Sequence, residues 1–161
     1  MERPSNRSYA LRGNRLTRAQ GLAMQTQWGN FSLQVEDQLL INELFPDKKQ
    51  VILEIGSGMG EATAGIAEQF PERGFVAVEM HNPGLGALLL LILEKKLENI
   101  KLIREDATHL LNNFIPDNSI DAVHLFFPDP WPKKRHNKRR IINAEFLKLI
   151  HPKLKDGGFF H

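Results

Sequence analysis

The spacing of apolar and polar positions divides the chain into a front without period and a body of regular alternation. Residues 1 to 30 are rich in Arg, Asn and Gln and sustain no period, so they read as a flexible arm that a partner could order. From Leu33 to Phe45 apolar residues stand at 33, 35, 39, 40, 41, 44 and 45, a mixed pattern that leans towards helix until Pro46-Asp47 breaks it. Val51 to Ile55 is a short apolar run that enters the cluster Gly56-Ser57-Gly58-Met59-Gly60. The helix predicted after it carries Ala62, Ile66, Ala67 and Phe70 on one side. Pro71 to Gly74 is a turn, Phe75 to Glu79 a second strand, and Gly84 to Leu97 a helix despite its two glycines. Ile100 to Arg104 is a third strand ending at Glu105-Asp106, and a short helix runs from about His109 to Phe114. After the turn residues Pro116 to Ser119, Ile120 to Phe127 is a fourth strand, broken by Pro128-Asp129-Pro130. Arg140 to Ile150 has helical spacing, and Asp156 to Phe160 reads as a turn opening a fifth strand.

Strands that alternate with helices predict an α/β fold, a doubly wound and mostly parallel sheet of Rossmann-like type. The expected organisation is a basic arm over residues 1–30 and one domain over residues 31–161. In such sheets ligands bind beyond the carboxyl ends of the strands. At or near those ends stand Glu54, Glu79, Asp106 and Asp129. A single acid there is commonly a cap or a solubilising residue; four at corresponding places point to a ligand.

Composition narrows the reading. With 161 residues, 42% hydrophobic and 25% charged, the chain has ordinary globular proportions. Cysteine is absent, which excludes disulfides, thiolate metal sites and thiol nucleophiles and fits a reducing, cytoplasmic setting. Met1-Glu2-Arg3-Pro4 opens without an apolar stretch of the secretory kind, and Leu85 to Leu93 is about half of the ~20 residues a membrane span needs. The six histidines show no ligand spacing and read as surface or structural residues, so no metal and no membrane is expected. The net charge of +2 hides an uneven distribution. Residues 1–20 hold five arginines against Glu2 alone, a charge of +4. Residues 131–142 hold Lys133, Lys134, Arg135, Lys138, Arg139 and Arg140 with no acid, a charge of +6. The remainder, with 10 basic and 18 acidic residues, carries −8. Basic islands on an acidic body suit a polyanion on one face, because Lys and Arg displace counterions condensed on phosphates.

The glycine cluster is spaced G-x-G-x-G rather than the G-x-G-x-x-G of dinucleotide sites, and Glu61 stands at the last position of that fingerprint. A carboxylate opening the helix repels a pyrophosphate and favours a ligand without phosphate there. Together with Glu54 it favours a cationic ligand, and S-adenosylmethionine meets these constraints. The glycines let backbone approach its methionine portion. Glu79, 21 residues beyond Gly58, stands where this fold carries its ribose-binding acid, and Asp106 could accept from the adenine amino group. The second motif is longer. In Phe126-Phe127-Pro128-Asp129-Pro130-Trp131-Pro132 the flanking prolines fix φ on both sides of Asp129, Trp131 offers a stacking face for a base, and the basic run follows at once.

The stretch Leu125 to Arg140 resembles the signature of the tRNA (guanine-N7-)-methyltransferase family, and Leu53 to Gly60 and Glu79 to Gly84 are similar to its earlier motifs. The resemblance extends from about Arg12 onward. It implies that Glu54, Glu79, Asp106 and Asp129 line the site of the methyl donor, with Gly56, Gly58 and Ala107 beside them and Asp129 as the catalytic residue. It further implies that Lys133 contacts substrate, that Arg135, His136, Asn137, Lys138, Arg139 and Arg140 contact RNA, and that the target is guanine 46 of tRNA. The family fold has seven strands and further substrate residues after the fifth; five strands fit into this sequence, so a longer family chain is expected. Two other readings stand beside it: an amino-group methyltransferase on nucleic acid or protein, since Pro128-Asp129-Pro130-Trp131 approaches an Asp-Pro-Pro-Tyr-type motif, and a non-catalytic RNA-binding module. Monomer and homodimer are both compatible with the sequence.

Overall fold

The computed structural model describes residues 13, 15–126 and 140–161. Helix α1 spans Arg18–Phe31, the single turn α2 Ile41–Leu44, α3 Glu61–Gln69, α4 Asn82–Lys95, α5 Ala107–Asn113 and α6 Ala144–Ile150. Strands β1 (Gln50–Ile55), β2 (Arg73–Val78), β3 (Ile100–Ile103), β4 (Ile120–His124) and β5 (Leu154–Phe160) form one sheet in the order β3-β2-β1-β4-β5, with every pairing parallel. The doubly wound α/β expectation holds. The chain leaves β1 towards β2 and β3 and returns on the other side to β4, so the crevice between the carboxyl ends of β1 and β4 is the topological switch point.

Side-chain alternation along the strands builds two cores. Ile52, Phe75, Ala77, Ile100, Leu102 and Ala122 face α1, α3 and α4, whose Ala23, Ala64, Ala67, Leu85, Leu88, Leu89 and Ile92 complete one cluster. Leu53, Ile55, Val76, Val78, Ile103 and Val123 face the other way, against Ile41, Leu110, Leu111, Phe146 and Ile150. The apolar stretch from Leu85 to Leu93 is therefore part of a helix packed on the sheet. Among the described residues no helix is long and apolar enough to cross a membrane.

Several sequence expectations are corrected. Arg18–Phe31, read as part of an arm, is a helix with a complete capping box: the Thr17 side chain accepts from Gln20 N–H, and the Gln20 side chain accepts from Thr17 N–H. It packs on the start of α4, where the Gln20 amide donates to the Pro83 carbonyl at 3.3 Å. Between Leu33 and Phe45 only Ile41–Leu44 is helical; Ser32 bridges to Leu102, and Leu33 N–H donates to the Leu102 carbonyl. That segment covers the outer edge of β3, which a bare strand would leave open to pairing with other chains. In α3 the buried positions are Thr63, Ala64 and Ala67, while Ala62 is exposed. β4 ends at His124 rather than at Phe127, and β5 begins at Leu154, before the predicted turn.

Candidate functional site

At the switch point β1 runs into a loop whose three glycines all have positive φ: Gly56 at 71°, Gly58 at 56° and Gly60 at 83°. Side chains other than glycine rarely tolerate this path. Gly60 caps α3, and a Cβ there would lie 2.5 Å from the Leu88 Cβ, so α4 also requires glycine at this point.

Glu54, the last polar residue of β1, is 2% exposed and faces α3 rather than open solvent. The Thr63 hydroxyl, fully buried, donates to its Oε1 at 2.9 Å, while Oε2 is buried with no hydrogen-bond partner among the described residues. Burial pushes the Glu54 carboxyl up to about 6, against the lowering effect of the Thr63 hydrogen bond. In register with it on β4 stands His124, buried among the rings of Phe126, Phe159 and His161. Its pKa is lowered, first by burial and then by His161 and Arg73.

Glu79 follows β2, half-buried, with both oxygens engaged. Oε2 accepts from Gly58 N–H at 3.0 Å, and Oε1 accepts from Met80 N–H and His81 N–H at 2.8 and 2.9 Å. One carboxylate thus ties the glycine loop to the entry of α4. Asp106 caps α5, accepting from His109 N–H at 3.0 Å, and its own N–H donates to Glu105 Oε1. The capping role that a lone acid suggests is real at this position, and Ala107 is the first residue of the helix so capped. Beyond the end of β3 a cavity of about 450 Å³ opens between Met24 and Trp28 of α1, Asn82 at the start of α4, and Ile103, Arg104 and Glu105.

Glu54, Gly56, Gly58, Glu79, Asp106 and Ala107 therefore gather at the carboxyl ends of three adjacent strands, β1, β2 and β3. Asp129, Lys133, Arg135, His136, Asn137, Lys138 and Arg139 lie outside the described residues. Arg140 is described, just ahead of α6, with its carbonyl accepting from the Asn143 amide at 3.3 Å. Thr63 is a residue of the site that no sequence motif marks. Its signal is the i, i+4 relation to Ala67, which puts it on the sheet-facing side of α3 opposite the even-numbered side chains of β1. Chemically the crevice offers carboxylates and a backbone that comes close to a ligand. With Glu61 on the first turn of α3, it is a poor place for a phosphate.

Residues 48–161 match the model of the family Methyltransf_4, described as "Putative methyltransferase". The chain belongs to this methyltransferase family. Curated relatives named tRNA (guanine-N(7)-)-methyltransferase are similar to it along nearly its whole length. The protein of Neisseria meningitidis serogroup A is 48% identical over 158 residues, covering 98% of this chain and 66% of the relative. That of Hydrogenovibrio crunogenus is 49% identical over 156 residues, covering 96% and 65%. That of Aliivibrio fischeri is 43% identical, covering 96% and 66%. The chain thus spans slightly less than two thirds of the length of these relatives. Among solved structures, an antibiotic-related methyltransferase superposes with a TM-score of 0.54 at 17% identity, over 71% of this chain and 57% of its own. The YcgJ protein of Bacillus subtilis gives 0.51 at 19% identity, over 88% and 48%. These distant likenesses extend to the methyltransferase fold and no further.

Proposed function

We propose that the protein transfers the methyl group of S-adenosylmethionine to N7 of a guanine in tRNA, guanine 46 of the variable loop. The observation that carries this reading is the 43–49% identity to tRNA (guanine-N(7)-)-methyltransferases over 96–98% of the chain. Two features of the crevice fit the donor. Glu54 Oε2 is a buried carboxylate oxygen without a hydrogen-bond partner among the described residues, suited to an ammonium group, and Gly56 and Gly58 take positive φ with open space where a Cβ would stand, so their backbone is free of side-chain bulk. Glu54, Gly56 and Gly58 would hold the methionine end, Glu79 the ribose hydroxyls, and Asp106 with Ala107 the adenine.

When bound, S-adenosylmethionine supplies an electrophilic methyl group on a sulfonium. Guanine N7 carries an in-plane lone pair, so no proton has to be removed before attack, and the protein's task is alignment. In this reading Asp129 takes the N1/N2 edge of guanine, selecting that base and offsetting the positive charge that develops on the purine. The base leaves its stack to reach the crevice. Lys133 contacts the substrate, and Arg135 to Arg140 hold the RNA backbone beside the donor.

The test is incubation of the full-length chain with S-adenosylmethionine and unmodified tRNA, followed by nucleoside mass spectrometry. N7-methylguanosine is the expected product and should map to position 46; N-methylated amines in its place, or no product, would overturn the reading. Asp129→Ala should bind the donor yet transfer nothing. Neutralising Lys138, Arg139 and Arg140 together should weaken tRNA binding and flatten its dependence on salt.

A further inference from the structure

We propose that Thr63 is a positioning residue for the donor: its hydroxyl holds Glu54 Oε1 so that Oε2 is presented, ionised, to the ammonium group of S-adenosylmethionine. This inference rests on the donor reading above and adds to it a residue that touches neither donor nor substrate.

An ionised carboxylate has room for about four hydrogen bonds, and one that is removed from water stays charged only with donors or a cation nearby. Among the described residues Glu54 receives one hydrogen bond, from Thr63 at 2.9 Å, and its second oxygen receives none. An oxygen so placed is suited to a cationic partner. Thr63 is well built to fix its neighbour. It is fully buried, it lies in the first turn of α3 behind the Gly60 cap, and its β-branched side chain is restricted at χ1. A threonine within a helix commonly returns its hydroxyl to a carbonyl of the preceding turn; here it reaches across to β1 instead.

Other ionisable groups stand on the elements around Glu54. His124 is its register partner on β4, Glu61 opens α3 in exposed surroundings, and Glu79 after β2 accepts from three backbone N–H groups. Ala77, its register partner on β2, carries no charge. Thr63 is thus the group that both orients Glu54 and favours its charged form, and its lowering effect on the Glu54 carboxyl has that same sign. Removing the hydroxyl raises that carboxyl further, so that at neutral pH a larger share is protonated and unable to pair with a cation. A rise of one unit in its titration lowers the affinity that depends on its ionised form by up to about tenfold below the wild-type midpoint and by less above it.

Donor binding is measured by calorimetry on the full chain between about pH 5 and 7, where the donor's α-amino group stays protonated, for the wild type and for Thr63→Val, Thr63→Ala, Thr63→Ser and Glu54→Gln, with thermal melts for each. In the wild type the affinity should fall as pH drops through about 6. Thr63→Val, or Thr63→Ala should the valine variant not fold, should show the fall roughly one unit higher, with a loss of about twofold in affinity at pH 7 and about fivefold at pH 6. Thr63→Ser should restore both, and Glu54→Gln should bind weakly with no dependence in this window. The proposal is overturned if the valine and alanine variants keep the wild-type affinity and midpoint, if serine fails to rescue, or if the pH dependence survives Glu54→Gln and so belongs to His124. A wild-type chain that binds no S-adenosylmethionine at any pH would sink the donor reading and this inference together; wild-type binding with unchanged Thr63 variants sinks the inference alone.

Discussion

Glu79 and Gly58 are joined across 21 residues by a hydrogen bond of 3.0 Å from the Gly58 backbone N–H to Glu79 Oε2. The other carboxylate oxygen accepts from Met80 N–H and His81 N–H, so one side chain links the loop after β1 to the turn after β2. Charge-assisted bonds of this kind are stronger than those between neutral groups. Glu79→Gln keeps the shape but turns an NH2 group towards at least one of these N–H donors. Urea denaturation should show a loss of about 1–2 kcal/mol, and donor affinity should fall with it. A variant within about 0.3 kcal/mol of the wild type would show that the link contributes nothing measurable to stability.

Gly84 and Gly65 make a matched pair of helical glycines with opposite expectations. A Cβ on Gly84 would lie 2.3 Å from the Gly58 carbonyl oxygen and 3.1 Å from its carbon, both backbone atoms of the glycine loop. Gly84→Ala therefore forces α4 and that loop apart and should cost about 1–3 kcal/mol. A Cβ on Gly65, in the interior of α3, meets nothing within 4 Å. Gly65→Ala should stabilise by about 0.5–1 kcal/mol, because alanine loses less backbone entropy in a helix. Melting curves of the two single variants decide this, and effects of the same sign would contradict the packing described.

The sheet was legible because β1 to β4 are short apolar runs bounded by turn residues, and the acids after them were legible because that fold places ligands there. Helix α1 escaped because its fully buried residues are Gln20 and Ala23 and Leu22 is 60% exposed, so its core-facing side, Ala23 with the half-buried Met24, Trp28 and Phe31, is short and diluted by polar residues. Its readable signal was the Thr17-x-x-Gln20 capping box. Between Leu33 and Phe45 the apolar positions serve an irregular path along the edge of β3 and over the sheet, which resembles helical spacing only by coincidence. The burial of Glu54 could be anticipated from its alternation with Ile52, yet its hydrogen bond could not, because that depends on where α3 sets Thr63 nine residues later.

Glu54 also makes stability depend on pH in a direction opposite to most carboxylates. Its folded-state value is raised from 4.5 to about 6, with burial as the larger cause. Between these two values the folded chain binds more protons at this site than the unfolded chain does. Stability from Glu54 is therefore fully present below about pH 4.5 and is lost as pH rises through about 6, by roughly 2 kcal/mol for this shift. Carboxylates held ionised by partners act the other way, so the total curve mixes both signs. The difference between wild type and Glu54→Gln isolates the one site, because the amide of that variant does not titrate. The stability of the wild type relative to this variant should decline by roughly 2 kcal/mol between about pH 4.5 and 7 and stay level above. A difference that is flat across that range would mean that the protein solvates the Glu54 charge fully. A difference that rises with pH would mean that donors other than Thr63 reach Oε2 and hold the carboxyl ionised in the folded state.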